Sequence, residues 1–216
     1  MSSRPPFPGL LASALLAAAA LGLSACTYAT SPATGRQFLT PVSESEEAKL
    51  GAEEHPKILE EFGGEYNGKP NVNAYVTQIG NAVAQHAERK DVTYTFTVLN
   101  SEEINAFALP GGYVYVTRGL VTLANNEAEL AGVLGHEIGH VNARHTAERA
   151  GQQQTVGILS TLGVLGATLL GGDTGGQLAT AAANEAGADY LGHFSQQQEF
   201  EADSLGVRYL TKTGYE

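Results

Sequence analysis

The feature that most constrains this chain is the pentapeptide His136-Glu137-Ile138-Gly139-His140. On an α-helix, positions i and i+4 lie about 40° apart around the axis and one turn along it. Both imidazoles can therefore reach one metal ion, with the carboxylate of Glu137 beside the open position of that ion. Apolar residues at helical spacing surround the pentapeptide, so we expect an amphipathic helix from Asn126 to about Ala150.

Three glycines lie in the same predicted helix, namely Gly132, Gly135 and Gly139. Each should cost about 1 kcal/mol relative to alanine in a helix interior. The glycines therefore predict a close approach by a neighbouring element or by a substrate. The alternative is a solvated helix face that carries two histidines without a metal, and neither the glycines nor the apolar face of the helix favours it.

A catalytic zinc ion needs three protein ligands and one open position. On a continuous helix, His145 lies toward the opposite side from His140, so we expect it at the surface. His193 lies in a segment of ambiguous structure and stays open as a candidate. Glu199 is favoured, because it belongs to a predicted C-terminal helix on which it shares one face with Asp203 at spacing i, i+4.

The metal-binding pentapeptide, the later Glu199-Phe200-Glu201-Ala202-Asp203 and the upstream segment from Ile104 to Gly112 together resemble the M48 metallopeptidases, which are gluzincins. The resemblance covers the chain from about Ser43 to its end. It implies a zincin-type fold and one zinc ion per chain. It also implies that Glu199, rather than Glu201, is the third ligand.

The resemblance further assigns Asp203 a second acidic role, as a proton donor or as the partner of a ligand histidine. Glu137 is expected to be the catalytic base, since zinc lowers the pKa of a bound water toward about 7 and a carboxylate then suffices. The function expected is a zinc-dependent endopeptidase. Two alternatives are a non-catalytic, metal-stabilised chaperone or scaffold lipoprotein, and a metallohydrolase that acts on a non-peptide substrate such as cell-wall material. The presence of Glu137 argues against a purely structural site.

The remaining pattern predicts an α+β domain over residues 43–216 that is mostly helical with a small β-sheet. Ser43 and Glu46 form a predicted capping box. The apolar, glycine-rich residues 155–172 predict a buried or lid-like helical hairpin beside the site, with a membrane span as the alternative. The chain ends where family members usually continue, so a C-terminal truncation is expected. The predicted elements are helices over 43–61, 71–89, 118–123 and 194–211 and strands over 91–99 and 113–116.

A substrate-binding strand is predicted along Gly112, Tyr113, Val114, Tyr115 and Val116, which precede the metal-binding helix by about twenty residues. In gluzincins resembling this chain, an edge strand beside the metal aligns an extended peptide. Backbone hydrogen bonds then give affinity with little sequence preference. The alternative is an interior strand with both of its edges paired.

The N-terminal residues 1–25 read as an export signal, with an apolar region from Leu10 to Leu23 that is too short for a membrane span of roughly 20 residues. Leu23-Ser24-Ala25-Cys26 resembles the bacterial lipoprotein signal, in which Cys26 receives a lipid. Residues 26–42 are predicted to be a tether. A plain secretory signal and an uncleaved anchor are the alternatives, and Thr27 in place of aspartate favours the periplasmic side of the outer membrane.

The formal net charge of −11 and the pI of about 4.9 disfavour a nucleic-acid partner, because an acidic surface repels phosphate backbones. The expected partners are polypeptides, in particular unfolded or misassembled proteins of the bacterial envelope. The expected membrane contact is the N-terminal lipid. This expectation follows from the family resemblance together with the export signal.

Overall fold

The computed structural model describes residues 26–69, 71–157 and 194–215, and its α+β architecture confirms the predicted fold class. The predicted signal peptide and residues 158–172 of the predicted hairpin lie outside the described residues. No helix within the described residues has the length and apolar character needed to cross a membrane. The elements are β1 (Thr27–Thr30), β2 (Gln37–Thr40), α1 (Glu44–Glu61), α2 (Val72–Ala84), β3 (Thr95–Leu99), β4 (Ala106–Leu109), β5 (Tyr113–Thr117), α3 (Arg118–Leu123), α4 (Glu127–Ala143) and α5 (Gln196–Thr213), and residues 145–157 are also helical.

Two compact units divide the chain. The larger unit contains residues 30–38, 42–148 and 193–216, and it holds the three-stranded sheet and all five named helices. The smaller unit is described only at residues 26–29, 39–41 and 149–157. Every residue of the candidate site discussed below belongs to the larger unit, so its geometry can be read within one compact body.

The sheet of the larger unit has the strand order β3-β5-β4, and apolar side chains cover both of its faces. Alternate residues of a strand point to opposite faces. Val114 and Val116 accordingly pack with α2, α4 and α5, whereas Tyr115 packs with Ile58 of α1. This burial on both faces explains why β3 is almost wholly buried, although its sequence alternation predicted a strand with one solvated face.

Strand β5 is the central strand, which overturns the prediction that a substrate adds along Gly112–Val116. It pairs in parallel with β3, where Thr97 lies opposite Tyr115, and antiparallel with β4, where Phe107 lies opposite Tyr115. Its backbone groups are therefore used on both sides. The sequence failed here because β4, which leaves β5 no free edge, precedes the Pro110-Gly111-Gly112 turn and was not predicted as a strand.

The predicted tether also proves to be structured. Strands β1 and β2 pair in a two-stranded sheet. Within the turn that joins them, the Ser31 N–H donates to the Arg36 carbonyl at 2.8 Å. Phe38 is buried and lies under the guanidinium of Arg144, 5.8 Å from the ring centroid. Short polar and small residues suggested a linker, but strand pairing and the contact of Phe38 with Arg144 give this segment its structure.

Helix α1 begins as predicted. Ser43 and Glu46 form a capping box, in which the Ser43 N–H donates to Glu46 at 2.8 Å. Helix α2 ends at Ala84, five residues before the predicted end at Arg89. The Arg89 N–H donates to the side chain of Asn142 at 2.8 Å instead of to a helical carbonyl. A tertiary contact therefore replaces the last predicted turn.

Helix α4 ends at Ala143, not near Ala150, because Arg144 adopts a left-handed conformation with φ of 62°. That conformation is unfavourable for a residue with a side chain. The buried Arg144 guanidinium compensates for it by donating to Glu47 at 3.0 Å and to the Val42 carbonyl at 3.0 Å. The chain changes direction here and becomes helical again at residue 145.

Candidate metal centre

Helices α4 and α5 bring three metal-ligand side chains together. Ligand atoms of His136, His140 and Glu199 all lie within 4.8 Å of one another. The two Nε2 atoms are 3.0 Å apart, and Glu199 Oε2 lies 3.3 Å from His136 Nε2 and 3.9 Å from His140 Nε2. The other sequence candidate, His193, lies outside the described residues.

Small residues let the two helices approach closely. A Cβ atom added to Gly139 would lie 2.9 Å from the Ala202 carbonyl oxygen, and one added to Gly206 would lie 3.0 Å from the backbone nitrogen of His136. Gly135 lies against Gly206 in the same crossing. The predicted close approach is thus confirmed at Gly135 and Gly139. It is wrong for Gly132, whose added Cβ would meet nothing within 4 Å.

Glu137 is only 7% exposed, and no hydrogen bond joins its carboxylate to another described residue. Burial, and secondarily the negative charge of Glu199, raises the pKa of Glu137 to about 8. An unpaired buried carboxylate is costly, and most such groups in native proteins have partners. A group in this state is suited to exchange a proton near neutral pH.

Asp203 contacts the ring of His136 on the side that faces away from the other two ligands. Its Nδ1 lies 2.8 Å from Asp203 Oδ1. A carboxylate accepts, so Nδ1 carries the proton, and the lone pair of Nε2 is left for the ligand cluster. Of the two roles that the family resemblance left open for Asp203, this geometry supports that of a partner to the ligand histidine.

His145 is fully buried, which overturns the prediction of a surface position. Its Nδ1 lies 2.9 Å from His140 Nδ1, and its Nε2 lies 3.1 Å from Glu201 Oε2. The prediction assumed one continuous helix. Because α4 ends at Ala143 and Arg144 reverses the local direction, His145 returns to the side of His140.

Arg36 completes this group and was missed by sequence analysis, which placed it in the tether. It donates through Nε to Glu201 Oε1 at 3.0 Å and through Nη2 to Glu148 Oε2 at 2.7 Å. Hydrogen bonding to Glu148 raises the pKa of Arg36 above its usual range. No local signal near residue 36 identifies this contact, because its partners lie more than one hundred residues away in sequence.

The ring of Phe194 stacks on His140, with centroids 4.1 Å apart. Burial, followed by the neighbouring His145 and His136 rings, lowers the pKa of His140 to about 2. Burial also lowers the pKa of His145. Neutral imidazole is the form that binds a metal ion, so the buried surroundings favour ligation.

The donor set fits a divalent metal ion. Two imidazole nitrogens and one carboxylate oxygen are the ligands of one common class of catalytic zinc site, in which a fourth position stays open. Each of the two imidazoles has its Nδ1 engaged by a protein group and its Nε2 directed to the cluster. Such outer contacts are typical of histidines that bind metals.

Comparisons with known proteins agree with this geometry. The chain is 36% identical over 149 residues to the beta-barrel assembly-enhancing protease of Yersinia pestis, which covers 68% of this chain and 31% of that protein. It is 34% identical, over the same shares, to the protein of that name from Escherichia coli strain K12. It is 28% identical over 186 residues to the mitochondrial metalloendopeptidase OMA1 of Schizosaccharomyces pombe, covering 86% of this chain and 53% of that protein.

The chain thus spans about a third of the length of the two bacterial relatives. The profile described as Peptidase family M48 matches residues 70–216, a range that contains the two histidines and Glu199. The matched range and the arrangement of the ligands show that this chain belongs to peptidase family M48.

Proposed function

We propose that the protein is a zinc-dependent endopeptidase that hydrolyses peptide bonds with an activated water molecule. The observation that carries the proposal is the convergence of His136, His140 and Glu199 within 4.8 Å, on the helix that also contains Glu137. Bound zinc supplies a Lewis acid that makes water nucleophilic near neutral pH. Glu137 accepts the proton of the water and donates it to the leaving amine.

The unpaired state of Glu137 favours an enzyme over a metal-stabilised scaffold. A scaffold needs only the ligands, and a buried carboxylate without a hydrogen bond would then lower stability without any benefit. A base has to release its proton and accept it again in every catalytic cycle, and strong fixed partners would oppose this. The named relatives, a beta-barrel assembly-enhancing protease and a metalloendopeptidase, support the same choice.

The decisive experiment compares wild type with Glu137→Gln in the digestion of an unfolded protein. The amide keeps the volume of the side chain but cannot accept the proton, so turnover should fall by about 100- to 10,000-fold. Zinc content, measured by atomic absorption, should stay at one ion per chain. Chelation of wild type should abolish activity, and added zinc should restore it. A variant that keeps both zinc and turnover would exclude Glu137 as the base.

Strand β4 is the better candidate for substrate alignment now that β5 is known to be interior. It lies at the edge of the sheet, and Ala108, Leu109 and His140 line one small cleft. The Thr117 N–H donates to the Asn105 carbonyl at 3.0 Å. In an antiparallel pair, hydrogen-bonded positions alternate. Ala108 therefore directs its N–H and C=O away from β5, where an extended peptide can pair with them.

A proline scan tests this placement. Ala108→Pro removes an outward donor without a loss of a ladder hydrogen bond, which an edge strand tolerates. We expect a KM for peptide that rises at least about tenfold, with zinc content and melting temperature retained. Phe107→Pro removes a donor to β5 and should instead unfold the sheet. Unchanged KM in folded Ala108→Pro would exclude β4 as the substrate strand.

We also propose a lipid anchor at Cys26 and a position on the periplasmic side of the bacterial outer membrane. The support is the lipoprotein-like tetrapeptide that ends at Cys26 and the similarity to bacterial beta-barrel assembly-enhancing proteases. Substrates would be unfolded or misassembled envelope proteins. Cys26→Ser should abolish labelling with radioactive palmitate and release the protein from the membrane fraction, and retention of the label would refute the anchor.

A further inference from the structure

Four side chains form a continuous line of contacts from the N-terminal hairpin to a metal ligand. Arg36 contacts Glu201, Glu201 contacts His145, and His145 contacts His140. We propose that Arg36, Glu201 and His145 are positioning residues that hold His140 in the one tautomer able to bind the metal ion. The proposal rests on the proposed metal site, and it adds a segment of the chain that the family match does not cover.

The direction of each hydrogen bond follows from chemistry. The Glu201 carboxylate can only accept, so His145 Nε2 must donate to it. In a neutral His145, Nδ1 then has no proton and accepts from His140 Nδ1. His140 consequently carries its proton on Nδ1, and its Nε2 presents a lone pair toward His136 and Glu199. The opposite tautomer of His140 would direct an N–H at the metal position and block ligation.

Burial favours this arrangement of protons over the alternative tautomers. His145 is fully buried, so no water competes for its ring nitrogens, and a neutral ring is favoured there. A flipped tautomer of His145 would place the lone pair of its Nε2 against the Glu201 carboxylate and, unless His140 flips as well, its Nδ1–H against the Nδ1–H of His140. Each mismatch would leave a buried polar group unsatisfied, which is unfavourable. The alternative arrangement is therefore strongly disfavoured.

Arg36 anchors the far end of the line. Its guanidinium contacts both oxygens of Glu201, at 3.0 and 3.1 Å, and also binds Glu148. Glu148 in turn accepts from Gln198 at 2.8 Å. Because bidentate guanidinium–carboxylate contacts fix the plane of the acid, Glu201 is held with Oε2 toward His145. The turn from Ser31 to Arg36 thereby acts on the metal site through two intervening side chains.

Arg36 lies in the N-terminal segment of the chain, before the range that the family match covers. The family match begins at residue 70, so it includes His145 and Glu201 but not Arg36. The hairpin that was predicted to be a mere tether thus supplies the cation of the line. Truncation between residues 27 and 42 should weaken metal binding even though no ligand is removed.

The test measures zinc affinity by competition with a chromophoric chelator for wild type and for His145→Phe, His145→Gln and Arg36→Ala. His145→Phe keeps the ring but loses the acceptor, so we expect an affinity loss of about 10- to 100-fold. His145→Gln offers an amide acceptor and donor and should recover part of that loss. Arg36→Ala should lose about three- to tenfold. Arg118→Ala, which removes an exposed ion pair with Glu102, is the matched control and should bind as wild type does.

A second measurement reads the tautomer directly. Nitrogen chemical shifts of the imidazole rings in the metal-free protein should show His140 protonated at Nδ1 in wild type and a mixture of tautomers in His145→Phe. A merely structural role for His145 would lower the melting temperature without this change. Unchanged zinc affinity and an unchanged His140 tautomer in folded His145→Phe or His145→Gln would overturn the proposal that these residues position His140. Failure of wild type to bind zinc would instead refute the proposed metalloprotease, and the tautomer measurement would still decide the line.

Discussion

The two histidines of the candidate metal site are held in contrasting ways. His136 is partly exposed, and its outer partner among the described residues is Asp203, whose side chain is 65% exposed. His140 is almost fully buried, and its outer partner His145 begins a line that ends at Arg36. The exposed partner can be replaced by water, whereas the buried one cannot. The contrast suggests that the solvent side of the site tolerates changes and the buried side determines its geometry.

The largest loss of zinc affinity should come from a change at Glu199, whose carboxylate lies beside both histidines. Glu199→Ala removes one of three ligands and should weaken zinc binding at least about 1000-fold, measured by chelator competition. Glu201→Ala removes only an outer contact of the buried side, so its loss should stay within about 10- to 100-fold. Equal zinc affinities for the two variants would show that the assignment of Glu199 as ligand is wrong.

The helix crossing supports both sides of the site and gives the second prediction. Gly139→Ala places a Cβ against the Ala202 backbone and should lower the free energy of unfolding by about 2–3 kcal/mol, as overpacking does. Gly132→Ala is the matched control in the same helix and should raise that free energy by up to about 1 kcal/mol. Denaturant titration checks both. A neutral Gly139→Ala would mean that the helices can separate without cost.

The third prediction uses the pH dependence of Glu137 in the metal-free protein. Its pKa is raised to about 8 in the folded state. Below about pH 4.5, Glu137 is protonated in both the folded and the unfolded state, and it does not oppose folding. As the pH rises through about 8, the buried side chain loses its proton and the free energy of unfolding falls. Glu137→Gln should be more stable than wild type at pH 8, by roughly 4 kcal/mol, and about equal to it near pH 4.5.

Thermal or urea unfolding of chelated samples at both pH values measures this difference. The sign matters, because a carboxylate stabilised by an ion pair would give the opposite slope. If wild type becomes more stable than Glu137→Gln as the pH rises, the buried carboxylate has a cationic partner and is not the unpaired base described above. Such a result would mean that Glu137 stabilises the fold through an ion pair and does not act as the catalytic base.

The smallest effect is expected on the exposed side. Asp203→Ala removes the acceptor for His136 Nδ1, but water can take its place, so zinc affinity should fall by no more than about tenfold. Asp203→Asn keeps an acceptor oxygen and should lose less. The loss of zinc affinity in His145→Phe should exceed the losses in both Asp203 variants. If Asp203→Ala instead weakens zinc more than His145→Phe, the contrast between the two sides is reversed and solvent exposure does not predict the cost.

Local patterns predicted the elements that carry the chemistry. The apolar spacing around His136 and His140 predicted α4, and the capping box at Ser43 gave the start of α1. Serine at position 195 caps α5, which begins two residues after the predicted start and ends two residues after the predicted end. These features depend on residues within about one helical turn of each other, which the sequence displays directly.

The errors have a different origin. The end of α4 depends on partners far away in sequence, whereas the interior position of β5 and the hairpin before Ser43 depend on pairing between neighbouring strands that no local pattern indicated. Arg144 adopts a left-handed conformation because Glu47 and the Val42 carbonyl hold its guanidinium. No propensity near residue 144 indicates this, since the stabilising contact forms only when the rest of the unit has folded.

The sequence by itself determined that two histidines share one helix face and that Glu199 and Asp203 share another. The repeat of 3.6 residues per turn is sufficient for each of these. Only the tertiary structure decided that His145 turns inward, that β4 forms the edge of the sheet and that Arg36 reaches the site. Those outcomes depend on the burial and pairing of polar groups between distant segments, and their free energies exist only in the folded chain.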